Sequence, residues 1–120
     1  MSIMVVGVCR NAHAAVIQAY RKLSSIEGLE NAQWVVVDSN SRTKTKIALE
    51  RFQNTATNFT LLGIEDDDER TPRLERIRRA RNRYLLEIRK EKPTRVVVID
   101  FDIMLLKKIK LDKSLLTEAE

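Results

Sequence analysis

Short runs of β-branched and other apolar residues recur along the chain, separated by longer segments with helical periodicity. The runs cover residues 3–9, 33–37, 59–64 and 95–99, and the helical segments cover residues 12–25, 43–53 and 72–91. Strands that alternate with helices in this way are typical of parallel sheets with crossover helices. The pattern therefore predicts an α/β fold, in which the crossover connections are expected to be right-handed. We expect an open, doubly wound, mainly parallel sheet of four strands, with three crossover helices and a C-terminal tail.

Consecutive valines stand in three of the four runs, at residues 5–6, 35–37 and 96–98. Continuous apolarity indicates burial on both faces, so we expect these three strands to be central and the helices to cover both sides of the sheet. The helical period turns Ile47 and Ala48 of the second helix toward the core. In the third helix the predicted apolar stripe is Leu74, Ile77, Tyr84, Leu85 and Ile88.

Length and composition exclude several classes of protein. The 120 residues suffice for one compact domain, and the formal net charge of +5 favours an anionic partner. A single cysteine, Cys9, and a single histidine, His13, argue against a disulfide framework and against a zinc site built on these residue types. We find neither an apolar run that could span a membrane nor a signal segment, and therefore expect a cytoplasmic location.

Polar residues follow the predicted strands, at the edge of the sheet where doubly wound folds bind ligands. Arg10 and Asn11 follow the first strand, in a turn that favours anions. Asp38 and Ser39 follow the second; Asp38 either caps the next helix or accepts hydrogen bonds from a nucleotide. The fourth strand ends in Asp100-Phe101-Asp102. Two carboxylates flanking one residue either hold a divalent cation such as Mn²⁺ or Mg²⁺ or simply end a strand.

Arg81 falls inside the predicted apolar stripe of the third helix, beside Asn82. A guanidinium directed toward the sheet is costly unless an anion neutralises it. Arg81 is therefore expected either to pair with Asp38 or Asp100 or to contact a diphosphate. Asn82 could orient either arrangement.

Other patterns carry less information about function. No G-x-G-x-x-G follows the first strand, and no G-x-x-x-x-G-K-[ST] occurs, so dinucleotide and P-loop fingerprints are missing. Cys9 and Trp34 are predicted to be core residues. The acidic run at residues 65–69 is either a solvated loop or a second metal-binding or acceptor-facing site.

The ordered set of motifs resembles the nucleotide-sugar-binding half of a GT-A glycosyltransferase. The motifs are VVGVCRN at residues 5–11, VDS at 37–39, RRARNR at 78–83 and VIDFD at 98–102. The Ala-Arg-Asn helix followed by an apolar strand and Asp-x-Asp is similar to glycosyltransferases of the cap-associated mannosyltransferase kind and to related viral and microbial enzymes.

The resemblance implies a role for each matching residue. Asp100 and Asp102 would bind Mn²⁺ or Mg²⁺ and, through it, the diphosphate of a UDP- or GDP-linked sugar donor. Arg10 and Asn11 would lie against the nucleotide. Asp38 would contact its base or ribose, and Arg81 would help to neutralise the leaving diphosphate. The nucleotide-contacting set is completed by Ser39, Asn82 and Phe101.

The resemblance also implies a division of the chain. Residues 1–102 correspond to the nucleotide-sugar-binding domain, and residues 103–120 form a tail at the point where such enzymes continue into the acceptor-binding part. The expected function is metal-dependent binding of a nucleotide-sugar donor for glycosyl transfer to an unidentified acceptor. Donor binding is thus a firmer expectation than transfer by this chain.

Two alternatives belong to other functional classes. Haloacid-dehalogenase-like phosphotransfer domains also end an apolar strand in Asp-x-Asp, although they place it on the first strand. A basic nucleic-acid-binding module is suggested by the many arginines and lysines between residues 73 and 92. Low aromatic content argues against base stacking, and a solvated helix face accounts for most of these charges.

Overall fold

A computed structural model describes residues 2–64 and 70–101 of the chain. Strands and helices alternate through this part, as the hydrophobic pattern predicts. No helix within it is both long and apolar enough to cross a membrane. In chain order the elements are β1 Ile3–Cys9, α1 His13–Ser24, β2 Gln33–Asp38, α2 Thr43–Thr55, β3 Phe59–Gly63, α3 Arg73–Glu91 and β4 Arg95–Phe101.

The four described strands form one parallel sheet in the order β3-β2-β1-β4, which confirms the predicted α/β fold. β1 is flanked on both sides, and its last residue, Cys9, is in register with Asp38 of β2 and with Phe101 of β4. Asp38 in turn pairs with Gly63 of β3. The carboxyl ends of all four strands therefore lie at one edge of the sheet.

Helices cover the sheet from both sides. α1 and α2 enclose the larger core, in which Trp34 and Val36 of β2 are buried. Tyr20 of α1 packs edge-on against three aromatic rings there, with centroid distances of 5.2 to 5.9 Å. α3 covers the opposite face through Ala80 and Tyr84. Cys9 and Trp34 are fully buried, as predicted.

β4 is not the doubly buried strand that its valines predict. It lies at an edge of the described sheet, and Val98 is 56% exposed. The reason is the path of the third crossover, which carries the chain from β3 at one edge to β4 at the other. α3 packs against β1 and β2, so the face of β4 that carries Val98 lies beyond its cover.

The predicted faces of α2 and α3 are also partly wrong. Ile47 is exposed, whereas Thr45 and Leu49 are the buried residues of α2. In α3 Leu74 and Leu85 are exposed, because contact with the sheet is centred on the small Ala80 and on Tyr84 of the following turn. Periodicity correctly predicts that both helices are amphipathic, but packing against the sheet determines how each helix is rotated about its own axis.

Gly7 permits the close approach of β1 and β4. A Cβ atom at this position would collide with the backbone oxygen of Ile99 and with the ring of Phe101. We expect Gly7→Ala to lower the free energy of unfolding by at least about 2 kcal/mol, since backbone atoms cannot move aside cheaply. The matched control is Gly63→Ala, because a Cβ there meets open space. Urea unfolding should show the control within about 0.5 kcal/mol of the parent; equal losses would refute the packing argument.

Burial raises the pKa of the Cys9 thiol from its ordinary value of 9.0 to about 11. Because the unfolded chain ionises first, the contribution of Cys9 to stability is intact below pH 9.0 and is lost as the pH rises toward 11. Between about pH 8 and about pH 10.5, the loss from this one group is on the order of 2 kcal/mol. Urea unfolding of Cys9→Ala should show a correspondingly weaker fall over the same range. Identical pH profiles for the two proteins would contradict this assignment.

Candidate functional site

A cavity of about 310 Å³ opens at the carboxyl edge of the sheet. Its wall combines the ends of β1 and β4, the turn after β2 and the first turns of α3. These segments are far apart in sequence and meet because the parallel strands end together. The lining residues are Val8, Arg10, Ser39, Arg73, Arg76, Ile77, Arg81, Asp100 and Phe101.

The cavity is strongly basic. Four guanidinium groups surround one carboxylate, that of Asp100. Arg10 donates a long hydrogen bond of 3.5 Å to the backbone oxygen of Ser39. Within the described part of the chain, the guanidinium groups of the three arginines that α3 contributes make no hydrogen bond or ion pair. Unpaired guanidiniums around a concave surface favour an anionic ligand with several acceptor oxygens, such as a phosphate.

Arg81 reaches this cavity in a different way from the predicted one. It is exposed on the flank of α3 rather than buried under the helix, and it forms an ion pair with neither Asp38 nor Asp100. Burial raises the pKa of the neighbouring Tyr84; the charge of Arg81 lowers it and that of Asp100 raises it. Sequence periodicity located the side of the helix correctly but overestimated its burial.

Hydrogen bonds tie the turn after β1 to the turn after β2. The backbone N–H of Asn11 donates to the Ser41 hydroxyl (2.8 Å), and the side-chain oxygen of Asn11 accepts from the backbone N–H of Arg42 (2.7 Å). Asp38 closes its own turn by accepting from the N–H of Ser41 (3.3 Å). Asn11 and Asn40 have left-handed backbone angles, which asparagine tolerates. Asn11 and Asp38 therefore shape the edge of the cavity.

A second cavity, of about 260 Å³, lies on the other side of Asp38, between α2 and the end of β3. The Asp38 side chain is buried beside it. The side-chain oxygen of Gln53 accepts a hydrogen bond from the backbone N–H of Leu61 (2.6 Å), and its amide NH₂ takes no part in this bond. Lys46 and Glu50 add one charge of each sign to the wall. This cavity offers both hydrogen-bond donors and acceptors to a planar polar ligand.

The other predicted site residues are distributed unevenly. Ser39 is buried, and its backbone N–H donates to the oxygen of Cys9 (2.9 Å). Phe101 borders the basic cavity but is buried against Trp34, with ring centroids 6.2 Å apart. Asn82 is exposed on α3 and does not line this cavity.

Sequence reasoning missed Arg73 and Arg76, which it assigned to solvated faces of α3. Both line the basic cavity with Arg81. The available signal was position along the chain: α3 begins after the carboxyl end of β3, so its first turns lie at the ligand-binding edge. The angular positions of Arg73 and Arg76 around the helix do not by themselves indicate that they lie at this edge.

Several predicted features lie outside the described residues: Asp102, the acidic run at residues 65–69 and the tail at residues 103–120. Within residues 2–64 and 70–101, no three His, Cys, Asp or Glu side chains cluster in a way that could hold a metal ion. In this part of the chain Asp100 is the carboxylate available at the basic cavity, and it is exposed.

Comparison of the sequence with family models and with curated proteins gives no match. The fold, however, resembles a solved mannosyltransferase, PcManGT from Pyrobaculum calidifontis, in complex with GDP-Man and Mn²⁺. The TM-score is 0.58 at 20% sequence identity, and the match covers 83% of this chain and 27% of that enzyme. The chain thus spans about a quarter of the length of the protein it matches. At this identity, the likeness shows a shared Rossmann-like α/β fold.

Proposed function

We propose that this chain binds the diphosphate group of a nucleotide-sugar donor, as the donor-binding domain of a metal-dependent glycosyltransferase. The observation that carries the proposal is the basic cavity, where four arginines converge at the carboxyl edge of a parallel sheet. Ligands of doubly wound folds bind at this edge. The fold shared with a mannosyltransferase supports the same conclusion.

The arginines suit a diphosphate better than a neutral sugar. A diphosphate offers several oxygens to guanidinium donors, and the three arginines of α3 approach the cavity without competing ion pairs among the described residues. During glycosyl transfer the leaving nucleoside diphosphate gains negative charge. Positive groups positioned beforehand around it stabilise that charge as it develops. Arg81 would take this role because its guanidinium lines the same cavity as Asp100 and has no ion-pair partner among the described residues.

Asp100, together with Asp102, would hold the Mn²⁺ or Mg²⁺ ion that bridges to the diphosphate. Asp100 fits a hard cation because its carboxylate is exposed in the cavity and makes no hydrogen bond or ion pair with a described residue. The ion would supply electrostatic stabilisation of the leaving group. Asp100 would also separate the cationic arginines from one another.

The second cavity would receive the base or ribose of the donor. Asp38 separates the two cavities, since it lines the second while its neighbour Ser39 lines the first. A ligand that fills both would place its diphosphate among the arginines and its polar ring beside Asp38. Arg10 and Asn11 would then border the nucleotide between them.

The haloacid-dehalogenase alternative gains no support from the fold. In that class the Asp-x-Asp strand is the first of the domain, whereas Asp100 here lies near the end of β4, at an edge of the described sheet. β1 ends at Cys9 and is followed by Arg10, so its end offers no carboxylate nucleophile. Donor binding therefore remains the better account of Asp100.

The direct test is isothermal titration calorimetry of GDP and UDP with and without Mn²⁺. We expect binding that requires the metal. Arg81→Ala should weaken it at least about tenfold, because a hydrogen bond to a charged group contributes about 1.5–3 kcal/mol. Arg76→Ala should behave similarly, and Asp100→Asn should remove most of the metal dependence. Arg21→Ala, on the exposed side of α1 and away from both cavities, is the matched control.

The result that contradicts the proposal is equally specific. If neither nucleotide binds in the presence of Mn²⁺, or if Arg81→Ala and Arg21→Ala have the same effect, the basic cavity is not a diphosphate site. Turnover of an aryl phosphate that is lost in Asp100→Asn would instead favour phosphotransfer.

A further inference from the structure

The side of α3 that faces away from the sheet carries an unusual mixture of side chains, which we call the outer face. Its members are exposed, and at about 100° per residue they lie within one arc of the helix circumference. None of them lines the basic cavity, which lies on the flank of the helix. The outer face consists of Leu74, Arg78, Arg79, Asn82, Leu85, Leu86, Arg89 and Lys90.

Three leucines on this face are open to solvent. Leu74 is 80% exposed, Leu86 55% and Leu85 38%. Among the described residues, the other large hydrophobic side chains with comparable exposure are Ile47 on α2 and Val98 on β4. Three of the five exposed large hydrophobic side chains in the described part of the chain thus lie on this one helix, two of them adjacent in sequence, and this concentration favours a contact surface.

The charged side chains between the leucines are mainly arginine and lysine. Arg78 and Arg79 both contact Glu75, at 2.6 and 3.1 Å, and these hydrogen bonds lower the pKa of that carboxyl. The side chains of Arg89 and Lys90 make no hydrogen bond or ion pair with any described residue. The half-buried Glu75 lies on the same side of the helix and offsets one of these four cations, whereas Glu87 lies on the side toward the sheet. The outer face is therefore basic as well as apolar.

We propose that the outer face of α3 docks on an anionic lipid surface. The combination of groups favours this partner, because leucines gain free energy by entering the interfacial layer while arginines and lysines meet the headgroup phosphates. The long basic side chains can lie along the surface and keep their charged ends at headgroup level. α3 has 19 residues and would lie flat on the membrane.

The same face suits a nucleic acid less well. Phosphates would satisfy the arginines, but the leucines would gain nothing from a polyanionic backbone. The outer face also contains no aromatic side chain that could stack on bases. The leucines thus distinguish the two partners, and they provide the variants for the test.

Cosedimentation of the full chain with lipid vesicles tests the proposal. We expect binding to phosphatidylcholine vesicles that contain phosphatidylglycerol, little binding to phosphatidylcholine alone, and weakening by added salt. The double variant Leu74→Gln/Leu86→Gln should reduce partitioning at least about tenfold. Arg89→Gln/Lys90→Gln should reduce it by about fivefold per charge removed. Ile47→Gln, an exposed apolar residue on α2, is the control and should bind like the parent.

Three outcomes would overturn the proposal. The first is vesicle binding that the leucine variant leaves unchanged. The second is absence of vesicle binding together with binding of single-stranded RNA. The third is self-association that the leucine variant abolishes, which would assign the outer face to a second copy of the chain. Circular dichroism of each variant checks that it folds, and calorimetry with GDP and Mn²⁺ on the same proteins reports separately on the nucleotide site.

Discussion

The close pairing of β1 with β4 is the constraint on which the candidate site depends. Gly7 faces Ile99 across this pair, and the approach leaves no room for a Cβ atom. The same register places Asp100 beside Val8, two residues before Arg10. A carboxylate from β4 and a guanidinium from the turn after β1 are thereby brought to one cavity. The backbone register thus establishes the site before any side chain contributes.

The turns at the carboxyl edge are held by polar contacts of short reach. Asn11 bonds to the turn after β2 through both its backbone and its side chain, and Asp38 closes that turn on Ser41. These bonds occupy groups that sequence reasoning had assigned to a nucleotide. A ligand at the carboxyl edge of the sheet would therefore bind to turns that are already ordered, and binding would not have to supply the entropy cost of ordering them. The guanidiniums of α3 then supply the positive charge.

The two basic regions of α3 have different chemical characters. Arg81 and its neighbours in the first turns surround a concave cavity and lack exposed leucines inside it, as a diphosphate site requires. The outer face is convex and mixes leucines with cations, as a lipid interface requires. No outer-face side chain lines the cavity, so one helix can present both surfaces.

The order of the elements, the parallel sheet and the edge at which Arg10, Asp38 and Asp100 lie could all be predicted from the sequence. These follow from local periodicity and from the rule that parallel strands end together. Tertiary structure alone decided that β4 lies at the edge of the described sheet, that Arg81 is exposed and that Arg76 joins the cavity. Such properties depend on which neighbours cover a residue, and helical or strand periodicity does not specify those neighbours.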